Sequence, residues 1–269
     1  MSSTSARTRA TGLSVNEVSK SYGGLLVLDA VSLQAPAGSV TSVIGPNGAG
    51  KSTLANIISG FVSPDEGAVT VDGTELSAAH PGDRARHRLG RTFQNLEVFG
   101  GMTVLDNVMM GGYSIEHASL AQAFVRGPGA RREEQETRDR AHALLAEFGL
   151  DHQADTLVDN LPFGEAKLVE MVRVVAMDPL VLVLDEPAAG LPPSSSGPLA
   201  DTISHLAERD IAVLLIEHNM KLVMKISENI AVLDHGQLLV EGPPQTIRED
   251  PRVIEAYLGP GQPGDEVDL

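Results

Sequence analysis

Hydrophobic positions change their period along this chain, and each change predicts a different element. Leu13, Val15 and Val18 are spaced as the inward face of a half-buried antiparallel strand. Ser39–Gly45 (SVTSVIG) reads as a buried strand running into a Gly-rich loop, with a helix expected from about Lys51 to Ser59. Gly67–Gly73 (GAVTVDG) is a short β-branched strand that closes on an Asp-Gly turn. From about Val104 to Phe148 the pattern turns helical, most clearly at Ala141, Leu144, Leu145 and Phe148. Leu180–Leu184 (LVLVL) and Ile211–Ile216 (IAVLLI) are continuous apolar runs, the pattern of parallel strands buried on both faces. Helical segments around 166–177, 196–208 and 219–226 alternate with them, and a strand is expected at 89–93. Ile230–Leu233 and Gln237–Val240 flank Asp234-His235-Gly236 as a hairpin. The order predicts an α/β protein: mixed antiparallel strands first, then a βαβ core with a helical insertion.

Composition narrows this picture. With 269 residues and 42% hydrophobic content, the chain has material for a full core, which excludes wholesale disorder. No solenoid period and no long linker divides it into independent domains. It has no Cys, which removes a disulfide scaffold, a thiolate zinc site and a Cys nucleophile. No apolar run approaches the ~18–20 residues of a membrane span. The first dozen residues lack the apolar stretch of a secretory signal and read as a disordered lead-in. Residues 126–140 carry five Arg and four acidic residues, a charge run that is most simply a solvated helix face or loop. The tail from Gly261 to Leu269 is acidic and expected to be disordered. Across the chain 36 acidic residues outweigh 20 basic ones, giving a net charge of −16. That balance speaks against general attraction to nucleic acid or anionic lipid. Any anion bound here must be held by local geometry against an adverse field.

One such geometry is written in the sequence. Gly45-Pro46-Asn47-Gly48-Ala49-Gly50-Lys51-Ser52 fits G-x-x-x-x-G-K-[ST], with a strand before it and a helix after it. Composition alone gives roughly 0.006 chance matches per chain, so a structural glycine turn with an exposed Lys is a poor account of it. The glycines let backbone N–H groups converge on a phosphate where a Cβ would block the approach. Lys51 reaches β- and γ-phosphates and Ser52 offers a hydroxyl to Mg²⁺, while the helix N-terminus adds partial positive charge. Together with Thr53, these residues form the expected ATP-binding set.

A phosphate loop leaves kinases, GTPases and many ATPases open; the segments after it decide. Leu161-Pro162-Phe163-Gly164-Glu165 opens a helix, Val181-Leu182-Val183-Leu184-Asp185-Glu186 follows, and His218 stands just beyond an apolar strand. In that order the chain resembles an ATP-binding-cassette (ABC) ATPase subunit over roughly residues 13–258. Arg91-Thr-Phe-Gln-Asn-Leu96, Met102-Thr-Val-Leu-Asp-Asn-Val108, the insertion at 112–140, Asp185-Glu-Pro-Ala-Ala-Gly-Leu191 and Val253-Ile-Glu-Ala-Tyr-Leu-Gly259 resemble the ATP-binding protein of branched-chain amino-acid importers.

The resemblance implies a P-loop NTPase fold: a RecA-like mixed-sheet core, an antiparallel β subdomain and a helical subdomain inserted at about 96–178. It implies ATP and Mg²⁺ as cofactors and assigns roles to matching positions. Tyr22 corresponds to the aromatic that stacks on adenine, the alternative being a core tyrosine. Gln94 corresponds to the glutamine that contacts Mg²⁺ or the attacking water and faces the permease. Asp185 holds Mg²⁺ through water, Glu186 positions or activates the nucleophilic water, and His218 senses the γ-phosphate. Gly164 donates to the partner subunit's ATP. The adjacent Asp185 and Glu186 at a strand end have their own physical sense, because a cation offsets the repulsion of the two carboxylates. Pro162 and Glu165 depart from the usual Leu-Ser-Gly-Gly-Gln signature, and Pro192 replaces a usual Asp or Asn. These departures imply a normal phosphate-loop site and a degenerate contribution to the partner's site.

The expected function is therefore an ATP-hydrolysing subunit that powers an importer of branched-chain amino acids or related solutes. The implied partners are a second ABC ATPase subunit, either a non-identical paralogue or a second copy, and transmembrane permease subunits, with no nucleic acid. The expected place is the cytoplasmic face of the membrane, reached through permease contacts. Apolar residues between 96 and 112 either dock the permease or pack inside the helical subdomain. The competing readings are an ATP-responsive regulatory clamp with little hydrolysis and a soluble non-transport ABC ATPase.

Overall fold

A computed structural model of the chain describes residues 12–116 and 128–258. The lead-in before Gly12, the Arg126 end of the charge run, part of the insertion and the acidic tail lie outside the described residues. The chain opens with strands β1 (Leu13–Tyr22), β2 (Leu25–Ala35) and β3 (Ser39–Ile44), then helix α1 (Lys51–Ile58). Next come β4 (Glu66–Val71), β5 (Thr74–Glu75), α2 (Pro81–Arg86) and β6 (Leu89–Thr92). The helices α3 (Val104–Glu116), α4 (Pro128–Glu147) and α5 (Phe163–Val175) precede β7 (Val181–Asp185). The rest alternates: α6 (Ser196–Glu208), β8 (Ala212–Ile216), α7 (Met220–Ile226), β9 (Asn229–Asp234), β10 (Gln237–Gly242), α8 (Pro244–Glu249) and α9 (Pro251–Leu258).

The strands form two sheets. The first is four-stranded and antiparallel, in the order β2-β1-β4-β5. The second is six-stranded, in the order β10-β9-β3-β8-β7-β6, parallel except for the antiparallel edge strand β10. Every residue of β3, β7 and β8 is buried, because these strands have material packed on both faces. In β7, Val183 faces one core while Leu182 and Leu184 face the other, as period-two alternation requires. In β1 the step from Val15 to Val18 breaks that alternation. The register shifts there and Glu17 has φ 48°, so a bulge returns Val18 to the buried face.

Three cores follow from this layering. The first joins the antiparallel sheet and α1 to one face of the large sheet, through Leu13, Val18, Leu54, Ile57 and Leu214. The second packs α5, α6 and α7 on the other face, through Val175, Ile203, Val223 and Leu215. The third lies among α3, α4 and α5, around Val108, Leu145 and Val169. Helix α5 serves two cores at once, with Met171 and Val174 in the second and Val169 and Val172 in the third. On α4 the buried stripe is Thr137, Ala141 and Leu145, while Arg132 and Glu136 pair on the exposed face at 2.9 Å. Among the described residues no helix is long and apolar enough to cross a membrane.

Candidate functional site

The C-terminal ends of the parallel strands converge at one edge of the large sheet, where loops gather functional side chains. Strand β3 ends at Ile44 and α1 begins at Lys51, so the phosphate loop spans the gap. Glycine is required at two of its positions. A Cβ on Gly45 (φ 151°) would lie 2.1 Å from the Leu233 carbonyl oxygen, and one on Gly50 (φ 102°) 2.6 Å from Leu28 Cδ2. The Ala49 carbonyl accepts from the Gly236 N–H at 3.2 Å, which ties the loop to the β9–β10 turn. Gly50 caps α1 without a side-chain oxygen, leaving the first-turn N–H groups open toward an anion. Lys51 folds back over the loop, its Nζ donating to the carbonyls of Gly45 at 2.7 Å and Pro46 at 3.0 Å. Burial lowers the Lys51 pKa, with the Glu186 and Asp185 carboxylates opposing that shift. Ser52 is exposed on the first turn.

Across from the loop, β7 delivers its two carboxylates to different partners. Asp185 Oδ2 accepts from Arg91 Nη2 at 2.7 Å, in a pair whose side chains are 10% and 7% exposed. Arg91 Nη1 donates to Asn56 Oδ1 at 2.9 Å, and the guanidinium carbon lies 5.0 Å from the Phe93 ring centroid and 5.8 Å from that of Phe61. Glu186 has φ 48°, with its N–H donating to the Ile216 carbonyl at 2.8 Å. Its Oε2 accepts from Gln94 Nε2 at 2.9 Å and lies 3.7 Å from His218 Nδ1. The fold thus brings Gln94, Glu186 and His218 together, with Asp185 and Lys51 beside them.

Tyr22 and Gly164 stand outside this set of contacts. Tyr22 ends β1 and is 46% exposed, so the core-tyrosine alternative does not hold. Gly164 lies in the first turn of α5, where a Cβ would touch Leu191 at 3.4 Å. Pro162 caps that helix, and Phe163 is 46% exposed. Glu165 is turned toward the helical layer, its Oε2 accepting from Gln153 Nε2 at 3.3 Å. The apolar residues of 96–112 divide between both expected fates: Val108 and Met109 are buried, whereas Phe99, Met102 and Met110 are exposed.

Several buried charged residues had no role assigned by the sequence. Arg91 is one. Glu217 is fully buried: Oε1 accepts the Ala188 N–H at 2.8 Å, and Oε2 accepts those of His218 at 2.9 Å and Asn219 at 3.0 Å. Lys167 on α5 is buried, and its Nζ donates at 3.3 Å to the carbonyls of both Glu186 and Pro187. Glu170, one turn on, accepts the Phe93 N–H at 3.3 Å, and burial pushes its pKa up to about 7. The available signal was a charge set into an apolar context: Glu217 directly follows IAVLLI, and Lys167 and Glu170 share one face of a helix otherwise buried by Ala166, Val169 and Met171.

Comparison with known proteins agrees with this layout. The family model described as ABC transporter matches residues 28–189, and one described as branched-chain amino acid ATP-binding cassette transporter matches residues 237–259. The chain is 39% identical over 249 residues to the high-affinity branched-chain amino acid transport ATP-binding protein BraF of Pseudomonas aeruginosa, covering 92% of this chain and 97% of that protein. It is 38% identical over 248 residues to the corresponding protein LivG of Escherichia coli K12, with coverages of 92% and 97%. A nucleotide-free ATP-binding cassette from an ABC transporter superposes with a TM-score of 0.78 at 32% identity, covering 92% of this chain and 98% of that one. A cassette solved in its ADP conformation superposes with a TM-score of 0.79, at the same identity and coverage. A phosphate loop at the end of β3, a carboxylate pair at the end of β7 and these matches lead to one conclusion: the chain belongs to the ABC transporter family, as a nucleotide-binding ATPase subunit of the branch that includes the branched-chain amino acid transport proteins.

Proposed function

We propose that the chain hydrolyses ATP in a Mg²⁺-dependent reaction that powers an importer of branched-chain amino acids or related small solutes. The convergence of Gln94 and His218 on the Glu186 carboxylate, beside Lys51, carries this reading. In it, residues 13–258 act as one ATPase domain whose helical subdomain occupies about 96–178.

The chain's groups suit an ordered phosphoryl transfer to water. Gly45, Asn47, Gly48, Ala49, Gly50 and Thr53 turn backbone and helix-terminus N–H groups toward the phosphates, while Pro46, which has no N–H, fixes the loop's backbone. Lys51 exchanges the carbonyls of Gly45 and Pro46 for phosphate oxygens, a neutral-for-charged trade that favours the bound state. Ser52, Gln94 and Asp185 offer a hydroxyl, an amide oxygen and a carboxylate, a hard-oxygen set that fits Mg²⁺. When bound, Mg²⁺ neutralises charge on the transferring phosphoryl group. Glu186 accepts a hydrogen bond already, so its carboxylate is aimed to orient a water and take its proton. His218, 64% exposed, is free to turn toward a γ-phosphate. Tyr22 supplies an exposed face for adenine.

The start of α5 serves a second subunit. Gly164 and the adjoining helix N-terminus donate to ATP held by a facing subunit, either a paralogue or another copy of this chain. Phe99 and Met102 lie near Gln94 in sequence and offer apolar surface to a permease, which attaches the chain to the cytoplasmic face of the membrane.

Glu186→Gln tests the reading. Assembled with its partner subunits, the variant is expected to bind ATP with unchanged affinity, lose about 10²–10⁴-fold in phosphate release and accumulate the closed dimer. Wild-type phosphate release from that assembly refutes the role of Glu186. An unmutated assembly that binds ATP without releasing phosphate favours the regulatory clamp.

A further inference from the structure

We infer that Glu217 is a positioning residue for this reaction: its buried carboxylate bridges the switch loop at His218 to the segment after Asp185 and holds Glu186 in its working orientation. The inference rests on the role proposed for Glu186.

It starts from the backbone of Glu186. A φ of 48° places a non-glycine residue in the left-handed region, a strained conformation that persists only where neighbours over-determine it. The neighbours come from different elements. The Ile216 carbonyl at the end of β8 takes the Glu186 N–H at 2.8 Å. Lys167 on α5 takes the carbonyls of Glu186 and Pro187 at 3.3 Å each. Glu217 takes the next free amide, that of Ala188, at 2.8 Å. Residues 186–188 are thus held through two carbonyls and two amides.

The two oxygens of Glu217 divide the work. Oε1 serves Ala188, while Oε2 serves the amides of His218 and Asn219 at 2.9 and 3.0 Å. Because one rigid carboxylate holds both loops, a displacement of the His218 backbone moves Ala188. Beyond Ala188 the segment runs through Leu191, which rests against Gly164, to Pro192. The residue is fully buried, so water does not replace either oxygen once it is removed. Lys167 is the nearby cation: burial lowers its pKa, and the charges of Glu170, Glu217 and Glu186 oppose that shift. An apolar or amide side chain at position 217 lacks the capacity: Gln carries one acceptor oxygen and sets its NH₂ against a backbone N–H.

Two variants separate bridging from local loop folding. Glu217→Gln keeps the shape and loses one acceptor face. Glu217→Asp keeps the charge and the short-range turn to Asn219, and is one methylene too short for Ala188. In the assembled complex both are expected to keep ATP affinity within about threefold and to lose about 10–100-fold in kcat, the cost of misplacing a reacting group by roughly 1 Å. In the full-length Glu217→Asp chain, hydrogen exchange at the Ala188 amide is expected to accelerate while the His218 and Asn219 amides stay protected. A merely structural role moves melting temperature and all three amides together. Wild-type kcat in both variants, or an Ala188 amide that stays protected in Glu217→Asp, overturns the inference. Glu186→Gln runs alongside: if it hydrolyses ATP at the wild-type rate, the site reading falls and this inference with it. If only Glu186→Gln is inactive, the bridge alone is refuted.

Discussion

At the end of β7, each carboxylate is held by a side chain from elsewhere in the chain. Arg91 on β6 grips Asp185 at 2.7 Å, and Gln94 grips Glu186 at 2.9 Å. At the start of α5, Phe163 is left 46% exposed and Glu165 is drawn away by Gln153. Both regions carry residues expected to contact ATP, yet one is preassembled and the other is laid open. Under the proposed function, the difference follows from where each region's contacts come from. There, groups that act on their own chain's nucleotide are preorganised by their own fold. Groups proposed to act on a facing subunit's nucleotide stay solvent-accessible until that subunit arrives, so the isolated chain gains little from ordering them.

That contrast is open to attack, and the heaviest blow falls on the preassembled side. Arg91→Met removes the cation from a nearly buried pair and strands Asp185. It is expected to cost about 3–5 kcal/mol in urea unfolding, part of it recovered with saturating MgATP. A loss below about 1 kcal/mol means that Asp185 is not held as the geometry suggests.

Acidity probes the joint between the two regions, where Glu170 on α5 accepts the Phe93 N–H just before Gln94. Its pKa rises from 4.5 to about 7 on folding, so the folded chain binds the extra proton between those values. Stability contributed by the protonated carboxyl is therefore full below pH 4.5 and is lost as pH rises through about 7. The slope is at most about 1.4 kcal/mol per pH unit. Glu170→Gln is expected to flatten it, which melting curves of both proteins from pH 5 to 8 measure directly. A wild-type curve parallel to that of the variant rejects the assignment.

The smallest effect belongs on the open side. Glu165→Gln alters the contact with Gln153. It is expected to change stability by less than about 0.5 kcal/mol and the ATP KM of the assembled complex by less than about threefold. A larger drop in KM means that the carboxylate leaves Gln153 in the assembly and faces the triphosphate.

Much of this architecture was readable from the residue pattern. The apolar runs 180–184 and 211–216 became β7 and β8, and the Gly-rich loop fell between β3 and α1. Local constraints explain that legibility: buried parallel strands need continuous apolar residues, and a phosphate loop needs glycines in fixed places. Strand β2 and the closing helices α8 and α9 went unnamed, because their patterns are short or interrupted.

The sequence by itself therefore determined the α/β class, the phosphate loop and the family, each encoded in contiguous residues. Tertiary structure decided how the carboxylates are deployed. Arg91 lies 94 positions from Asp185, Gln94 lies 92 from Glu186, and Ala188 lies 29 from Glu217. No local pattern specifies such pairs; they exist because parallel strands order their ends by hydrogen bonding across the sheet, which brings loops distant in sequence to one edge.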